Sequence, residues 1–345
     1  MRVARWAGAG TIRVEDAPLP VPRADEALVR VAWTGLCGSD LEEFRHGPVV
    51  ARPGVVLGHE IVGTVSRAAG DGSGPAVGAR VVVDVVTGCG RCFWCERHEE
   101  GLCPDLVVTG QHVDGGLAEY VVGRASRLIV VPDSLPLRHA ALAEPAAVAV
   151  RAGRKLGSML GRCAVVVGGG TVGLLVAQVL RQAGADRVTV VEPSPERRRI
   201  AASLGLDAVW EPDAATRART VAERFPERGA DVVVECSGAG GAAREAVRLV
   251  RAGGTAVLLG VPAADEPFDG LDLVVREKTV VGSAAHMWDD DVAVAVGLLA
   301  AGAIEVAPLI SQLVALEEAP RAFELLAGAE AGVVKILVRC GDDDA

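Results

Sequence analysis

Four cysteines within one short stretch constrain the fold of this chain more than any other feature. Residues 88–103 read Gly-Cys-Gly-Arg-Cys-Phe-Trp-Cys-Glu-Arg-His-Glu-Glu-Gly-Leu-Cys. Four thiolates at this spacing suit a tetrahedral zinc ion with each sulfur at about 2.3 Å. The alternatives are two disulfides or four unrelated core thiols, but cysteines three apart in a polar loop rarely satisfy disulfide geometry. We therefore predict a closed structural zinc site whose ligands are Cys89, Cys92, Cys95 and Cys103.

Length and composition indicate a globular protein with two domains. The chain has 345 residues, of which 50% are hydrophobic and 23% charged, enough for two separate cores. A net charge of -10 argues against nucleic acid or an anionic membrane as the main partner. Cys163, Cys236 and Cys340 lie in apolar surroundings and are predicted to be buried thiols. This cysteine usage and the absence of a signal-like N-terminus favour a cytoplasmic location.

The character of the chain changes near Leu135. Before this residue, short apolar segments alternate with turn residues and predict a mostly β unit, including a strand pair over 54–65. An Ala-rich helical pattern then runs from Arg138 to Leu156. Beyond it, strands alternate with helices, which predicts βαβ units and a parallel sheet. The uncharged run 163–180 has the length of a membrane helix, but a β-branched half followed by three glycines indicates a strand, a turn and a helix instead.

The turn in that run contains the pattern G-x-G-x-x-G. Gly168 permits a tight turn, Gly170 lets the backbone approach a pyrophosphate, and Gly173 allows close packing of helix on strand. The residues predicted to bind a dinucleotide here are Gly168, Gly170, Thr171, Val172 and Gly173.

The choice between NAD and NADP depends on the residues after the second strand of this unit. Glu192 lies nineteen residues beyond Gly173, where a carboxylate can accept from the adenosine ribose and repel a 2′-phosphate. We therefore predict NAD in preference to NADP. Arg197, with the two arginines after it, could instead bind the extra phosphate, or the three could form a solvated helix face.

A second set of metal-binding side chains is dispersed along the chain. Cys37, His59, Glu60 and Glu144 each have an ordinary explanation when taken alone. Glu144, however, interrupts an apolar stretch where an unpaired carboxylate would be costly to bury. A thiolate, an imidazole and a carboxylate supply three ligands and leave a fourth position for water or substrate, as a catalytic zinc requires.

These motifs in this order resemble the zinc-containing medium-chain alcohol and polyol dehydrogenases of the sorbitol, butanediol and threonine dehydrogenase branch. The resemblance runs from Arg2 to Arg339. It implies an α/β fold in which a mostly β GroES-like catalytic domain accompanies a Rossmann domain with a doubly wound parallel sheet. The implied boundaries are 1–145 plus 284–345 for the catalytic domain, with the zinc lobe at 88–104, and 146–283 for the Rossmann domain.

The resemblance also implies two zinc ions per chain, the catalytic one lying between the domains. Cys37 and His59 match zinc ligands, and Glu144 matches the third ligand of the polyol branch. Glu60 would be a neighbour able to exchange onto the metal, and Asp40 would orient His59.

The implied reaction is oxidation of a secondary alcohol by NAD. Zinc would bind the substrate hydroxyl, lower its pKa and hold the alkoxide for hydride transfer, while Ser39 takes the proton. Many relatives have histidine at the position of Glu42, so this residue is either an outer proton relay or an exposed helix residue. The backbones of Val261 and Ser283 match positions that face the nicotinamide.

The predicted substrate is a polyol, a diol, a sugar-derived cyclitol or an aminocyclitol. The alternatives are oxidation of a threonine-type amino alcohol and a non-catalytic NAD-binding protein. By resemblance the chain forms a homodimer or homotetramer, with the strand near Thr279–Val281 as the pairing edge. The loop 286–288 could contact substrate or a neighbouring subunit, or could pack at a helix end.

Overall fold

The computed structural model describes residues 1–225, 229–287, 291–328 and 332–341. The chain divides into two compact units. The first unit comprises 1–147, 286–302 and 310–345, and the second unit comprises 148–285 and 303–309.

The strands are numbered in chain order. They are β1 (Arg2–Gly8), β2 (Thr11–Asp16), β3 (Glu26–Gly35), β4 (Glu60–Arg67), β5 (Arg80–Val83), β6 (Val86–Thr87), β7 (Val107–Val108), β8 (Tyr120–Arg124), β9 (Leu128–Val130), β10 (Cys163–Val167), β11 (Arg187–Val191), β12 (Asp207–Val209), β13 (Ala230–Glu235), β14 (Val250–Leu258), β15 (Thr279–Gly282), β16 (Ile310–Ala315) and β17 (Lys335–Arg339).

The α-helices are numbered in the same way. They are α1 (Gly38–His46), α2 (Leu137–Ala140), α3 (Ala143–Arg154), α4 (Thr171–Gln182), α5 (Pro195–Ser203), α6 (Ala214–Arg224), α7 (Ala242–Leu249), α8 (Gly270–Val275), α9 (Asp291–Ala300) and α10 (Ala319–Ala327).

The first unit is built on a seven-stranded mixed sheet. Its order is β16-β17-β3-β4-β5-β9, with β8 also pairing with β3. The pairs of β3 with β4, β8 and β17 are antiparallel, whereas β16 and β17 are parallel. Because β17 comes from the end of the chain and β3 from its beginning, the C-terminal segment completes the sheet that carries the N-terminal candidate ligands.

The second unit is a six-stranded parallel sheet in the order β12-β11-β10-β13-β14-β15. Strand β10 reads Cys-Ala-Val-Val-Val, and its last four residues are buried. Such an unbroken apolar strand is typical of a parallel sheet covered on both faces. The chain order reverses direction between β10 and β13, which is the point where open α/β sheets bind their ligands.

The structure corrects three expectations for local structure. The helical pattern over 138–156 is two helices, α2 and α3, because Pro145 lacks an N–H and its ring would clash with a carbonyl one turn earlier. The strand pair over 54–65 is the single strand β4, since Gly58 adopts a φ of 91° that interrupts extension. Cys340 is buried as predicted, but Cys163 and Cys236 at strand ends are half-buried.

The apolar run over 163–180 forms β10 and most of α4, with the glycine turn between them. Within the described ranges, none of the helices combines the length and the apolar character needed to span a bilayer.

Candidate functional site: two metal-ligand sets and a dinucleotide turn

The four cysteines of residues 88–103, here called the cysteine lobe, converge on one point. Their sulfur atoms all lie within 4.8 Å of one another. The Sγ of Cys92 is 3.6 Å from that of Cys95 and 3.7 Å from that of Cys103. A tetrahedron of sulfurs at the usual zinc–sulfur distance has edges of about 3.8 Å. The lobe therefore has the dimensions and donor atoms of a closed structural zinc site.

Backbone turns bring these thiols together. Residues 95–97 and 100–102 form two short 3-10 turns, and the N–H of Cys89 donates to the Sγ of Cys103 at 3.3 Å. A Cβ on Gly88 would come within 2.6 Å of the Cys95 sulfur. Glycine is therefore required at 88 for the chain to pass this close to the metal ligands.

The start of α1 places Ser39 and Asp40 on either side of the His59 ring. The Oγ of Ser39 lies 3.4 Å from His59 Nε2, and Asp40 Oδ1 lies 3.3 Å from His59 Nδ1. Asp40 also accepts from the N–H groups of Cys37 and Gly58. Asp40 is thus fixed by backbone donors, and the orientation of the imidazole follows from it.

The surroundings of His59 favour positive charge. Burial disfavours the protonated ring, but the Asp40 carboxylate and the neighbouring Cys37 outweigh that cost and raise the pKa of His59 well above its ordinary value. The same electrostatics would stabilise a metal cation at this ring. The Cys37 thiol and the His59 imidazole therefore fit two ligands of a zinc site.

Glu60 has a partner that sequence reasoning missed. Both of its oxygens accept from the Nζ of Lys335, at 2.6 and 2.7 Å, and both side chains are buried. Burial opposes the charge on Lys335, but Glu60 and then Cys37 raise its pKa above the ordinary value. Gly35 makes room for this pair, because a Cβ there would overlap the Glu60 carboxylate.

Lys335 could not be found from local sequence patterns. It opens β17, 275 residues after its partner, and only the pairing of β17 with β3 brings it to this place. The buried ion pair ties Glu60 to the end of the chain.

Glu144 lies in the first turn of α3 and is 8% exposed. Its Oε1 is 3.6 Å from the Nε2 of His286, a fully buried residue. Its charge acts on both Glu60 and Lys335, so it shares their electrostatic environment.

The two ligand sets differ in how tightly they are assembled. Within the described ranges, only the cysteine lobe has its donor atoms within 4.8 Å of one another. Cys37, His59, Glu60 and Glu144 form a looser set, with the chemical donors of a three- or four-ligand site but without its distances. A thiol, an imidazole and carboxylates are the donors that catalytic zinc sites use, so the residues fit the metal chemically.

The glycine turn of the second unit has the geometry expected for a phosphate-binding turn. Gly168 has a φ of 99°, and Gly170 immediately precedes α4. A Cβ at Gly173 would overlap the carbonyl oxygen of Gly168, so only glycine lets the helix approach the strand this closely. Thr171 and Val172 form the first turn of α4, and the N–H groups at a helix N-terminus attract phosphate.

Glu192 closes this turn from the end of β11. Its Oε2 accepts from the Gly169 N–H at 2.6 Å, and its Oε1 accepts from the Ser194 N–H at 2.8 Å. Each carboxylate oxygen can still accept a further bond. The residue is 3% exposed, so its position is firmly defined.

The three arginines of α5 have different surroundings. Arg198 donates to the carbonyl oxygens of Glu192 and Pro193 at 2.7 Å, and Arg199 pairs with Glu196 at 2.9 Å. Of the three, Arg197 approaches the glycine turn: a Cβ added to Gly170 would lie 3.9 Å from the Nη1 of Arg197.

The remaining predicted residues lie at strand ends or on α1. Val261 follows β14 and is 86% exposed, whereas Ser283 follows β15, is buried, and donates its N–H to the Leu258 carbonyl. Glu42 is exposed on α1. Of the loop 286–288, His286 and Met287 are buried, and Trp288 lies outside the described residues.

Two family profiles match the chain. The profile described as the alcohol dehydrogenase GroES-like domain matches residues 23–133, and the profile described as zinc-binding dehydrogenase matches residues 171–301. The first falls in the first unit. Most of the second falls in the second unit.

Relatives and solved structures extend the similarity over almost the whole chain. D-xylulose reductase A of Aspergillus oryzae is 33% identical over 93% of this chain and 92% of that protein. A zinc-binding dehydrogenase structure from Sinorhizobium meliloti bound to NADP has a TM-score of 0.92 and 35% identity, covering 98% of each chain. The 2R,3R-butanediol dehydrogenase of Bacillus subtilis has a TM-score of 0.90 and 30% identity, covering 99% of each chain.

Fold, donor chemistry and relatives therefore agree, and the chain belongs to the zinc-containing medium-chain alcohol and polyol dehydrogenases, a family of oxidoreductases.

Proposed function

We propose that this enzyme oxidises a secondary alcohol with a neighbouring polar group, using NAD as hydride acceptor. The substrate class is a diol, a polyol, a sugar-derived cyclitol or an aminocyclitol. The observation that carries the proposal is the set formed by the half-buried Cys37 and the buried His59 and Glu144, whose third member is a carboxylate. The names of two relatives, a xylulose reductase and a butanediol dehydrogenase, support the same substrate class.

We assign Cys37, His59 and Glu144 as ligands of a catalytic zinc, with Glu60 as an exchangeable neighbour. When bound, the zinc supplies a Lewis acid that makes a substrate hydroxyl more acidic. Ser39 is the proton acceptor in this proposal, because its hydroxyl lies 3.4 Å from His59 Nε2, the ring nitrogen available to a metal. Asp40 contacts the other ring nitrogen, Nδ1.

We assign the glycine turn, Glu192 and the backbones of Val261 and Ser283 to the dinucleotide. NAD is favoured because the Glu192 carboxylate is fixed at the turn by two backbone donors and would repel a 2′-phosphate. The NADP in the Sinorhizobium meliloti structure is a property of that protein. If Arg197 assists a 2′-phosphate here, the change Arg197→Ala will lower kcat/KM with NADP more than with NAD.

We place the subunit contact at the β15 edge of the parallel sheet. Strand β15 is the last in that sheet, and the neighbouring α8 exposes Leu271, Val274 and Val275 by 71–77%. If this contact joins the subunits, light scattering should show smaller particles for Val274→Asp than for the native protein.

We also propose a cytoplasmic location, because none of the eight cysteines forms a disulfide.

The test of function is the initial rate of reduced nicotinamide formation by zinc-loaded protein. The panel contains vicinal diols, sugar alcohols, aminocyclitols and threonine, each with NAD and with NADP. Turnover of a diol, polyol or cyclitol with NAD supports the proposal. Turnover of threonine alone would move the substrate class to amino alcohols, and failure to bind either dinucleotide would overturn the dehydrogenase assignment.

A further inference from the structure

His286 lies between two carboxylates in the interior of the first unit. Its Nε2 is 3.6 Å from Oε1 of Glu144, and its Nδ1 is 3.8 Å from Oδ1 of Asp84. The side chain is completely buried. Neither ring nitrogen has a hydrogen-bond partner in the part of the chain that the structure describes. A buried polar group without a partner is costly, so its position between two acids requires an explanation.

We propose that His286 is a positioning residue for Glu144, an inference that rests on the proposed role of Glu144 as a zinc ligand. The ring nitrogen faces one oxygen of the carboxylate, Oε1, which leaves the other oxygen for the metal. Metal-bound side chains commonly depend on such an outer partner for their orientation, and losing it weakens metal binding about 10–100-fold.

Asp84 lies on the opposite side of the ring and is itself held in place. Its Oδ2 lies 3.3 Å from Nη1 of Arg127, and its Oδ1 accepts from the N–H of Val86 at 3.1 Å. Both Asp84 and Arg127 are buried, and Arg127 also approaches the Glu100 carboxylate at 3.8 Å. Asp84 is thus a rigid reference point for the imidazole.

The backbone around His286 is held as well. The N–H of Met287 donates to Oδ2 of Asp291 at 2.8 Å, at the start of α9. On the other side, a Cβ on Gly101 would come within 3.2 Å of the Met287 methyl group and 3.3 Å of the His286 carbonyl oxygen. The segment is therefore packed against the cysteine lobe, which restricts displacement of the ring.

The test compares three substitutions that keep different parts of the ring. His286→Gln places an amide near the position of Nε2 and can still reach Glu144. His286→Asn places an amide near Nδ1 and can reach only Asp84. His286→Leu removes both polar contacts, and His46→Leu at an exposed histidine of α1 is the matched control.

The measurement is the affinity of the catalytic zinc in the full-length protein, obtained by competition with the chelator dipicolinate. The ion lost in Cys37→Ala identifies the catalytic zinc, and the ion that this variant keeps is that of the cysteine lobe. We expect affinity to fall about 10–100-fold in His286→Leu and His286→Asn, and to stay within about threefold of native in His286→Gln and His46→Leu.

Native zinc affinity in His286→Leu would overturn the inference, and so would equal losses in the Gln and Asn variants. If His286→Leu does not fold, the comparison of Gln with Asn decides alone. A native protein that binds only the zinc of the lobe would instead refute the proposed function, because Glu144 would then have no metal to bind.

Discussion

The cysteine lobe and the dispersed set around His59 represent two ways of bringing candidate metal ligands together. In the lobe, four ligands come from one stretch of sixteen residues, and their sulfurs already lie within 4.8 Å of one another. In the dispersed set, the donors come from the residue before α1, from β4 and the residue before it, and from α3. Other side chains contact three of them. Asp40 faces His59, Lys335 faces Glu60, and His286 faces Glu144.

The difference indicates a division of roles. A local site of four thiols leaves no position for a substrate, so its contribution is to stability. A dispersed site with three protein ligands and buried partner residues can leave one position open. We therefore expect damage to the lobe to reduce stability and damage to the dispersed set to reduce turnover.

The largest expected effect is on catalysis, in Cys37→Ala. Removing this ligand should lower kcat by about 1000-fold or more, because a catalytic zinc contributes several kcal/mol to the transition state. Zinc content should fall by one ion per chain, while NAD affinity measured by calorimetry stays nearly native. Loss of NAD binding together with activity would contradict the assigned role.

The next effect is on stability, at the buried lysine that pairs with Glu60. Lys335→Met leaves the buried Glu60 carboxylate without its partner and should lower the free energy of unfolding by about 3–5 kcal/mol. Equilibrium urea unfolding measures this change. The double change Lys335→Met with Glu60→Gln should recover much of the loss, because no unpaired charge remains.

Lys278→Met is the matched control for that experiment. Lys278 is also nearly buried and pairs with Asp272 at 2.7 Å, but Asp272 is partly exposed and keeps Arg276 at 2.8 Å. We expect a loss below about 1.5 kcal/mol. An equal loss of unfolding free energy in Lys335→Met and Lys278→Met would show that burial of the partner carboxylate does not determine the size of the loss.

The lobe provides the converse test. Cys92→Ser should release its zinc and lower the free energy of unfolding by about 3 kcal/mol, because metal binding contributes to folding. Proteolysis should then cut within residues 88–104. The variant should retain its catalytic zinc, and loss of both ions would show that the two sites are not independent.

The smallest expected effect is at Glu42. This side chain is exposed on α1, so Glu42→Gln should change kcat by less than about threefold, whereas Ser39→Ala should cost about 100-fold as the proton acceptor is lost. Profiles of kcat against pH compare the two variants. A loss at Glu42 as large as that at Ser39 would establish it as the outer relay.

Local patterns were sufficient for much of the molecule. The spacing of the cysteines predicted the lobe, and alternating strands and helices predicted the parallel sheet of the second unit. The glycine turn was also visible, because its backbone geometry requires glycine at 168 and 173. Some local elements were nevertheless missed or misread, among them the short strand β12, helices α6 and α8, and the interruption between α2 and α3.

The sequence by itself determined those features whose cause lies within a few residues: the cluster of four cysteines, the glycine turn and the βαβ alternation. Only the tertiary structure decided which distant groups share the interior of the first unit. Lys335 reaches Glu60 because the last strand pairs with β3, and His286 reaches Glu144 because the segment before α9 packs against the lobe. The physical reason is that the cost of burying a charge is offset only by a partner at contact distance, and sequence separation says nothing about that distance.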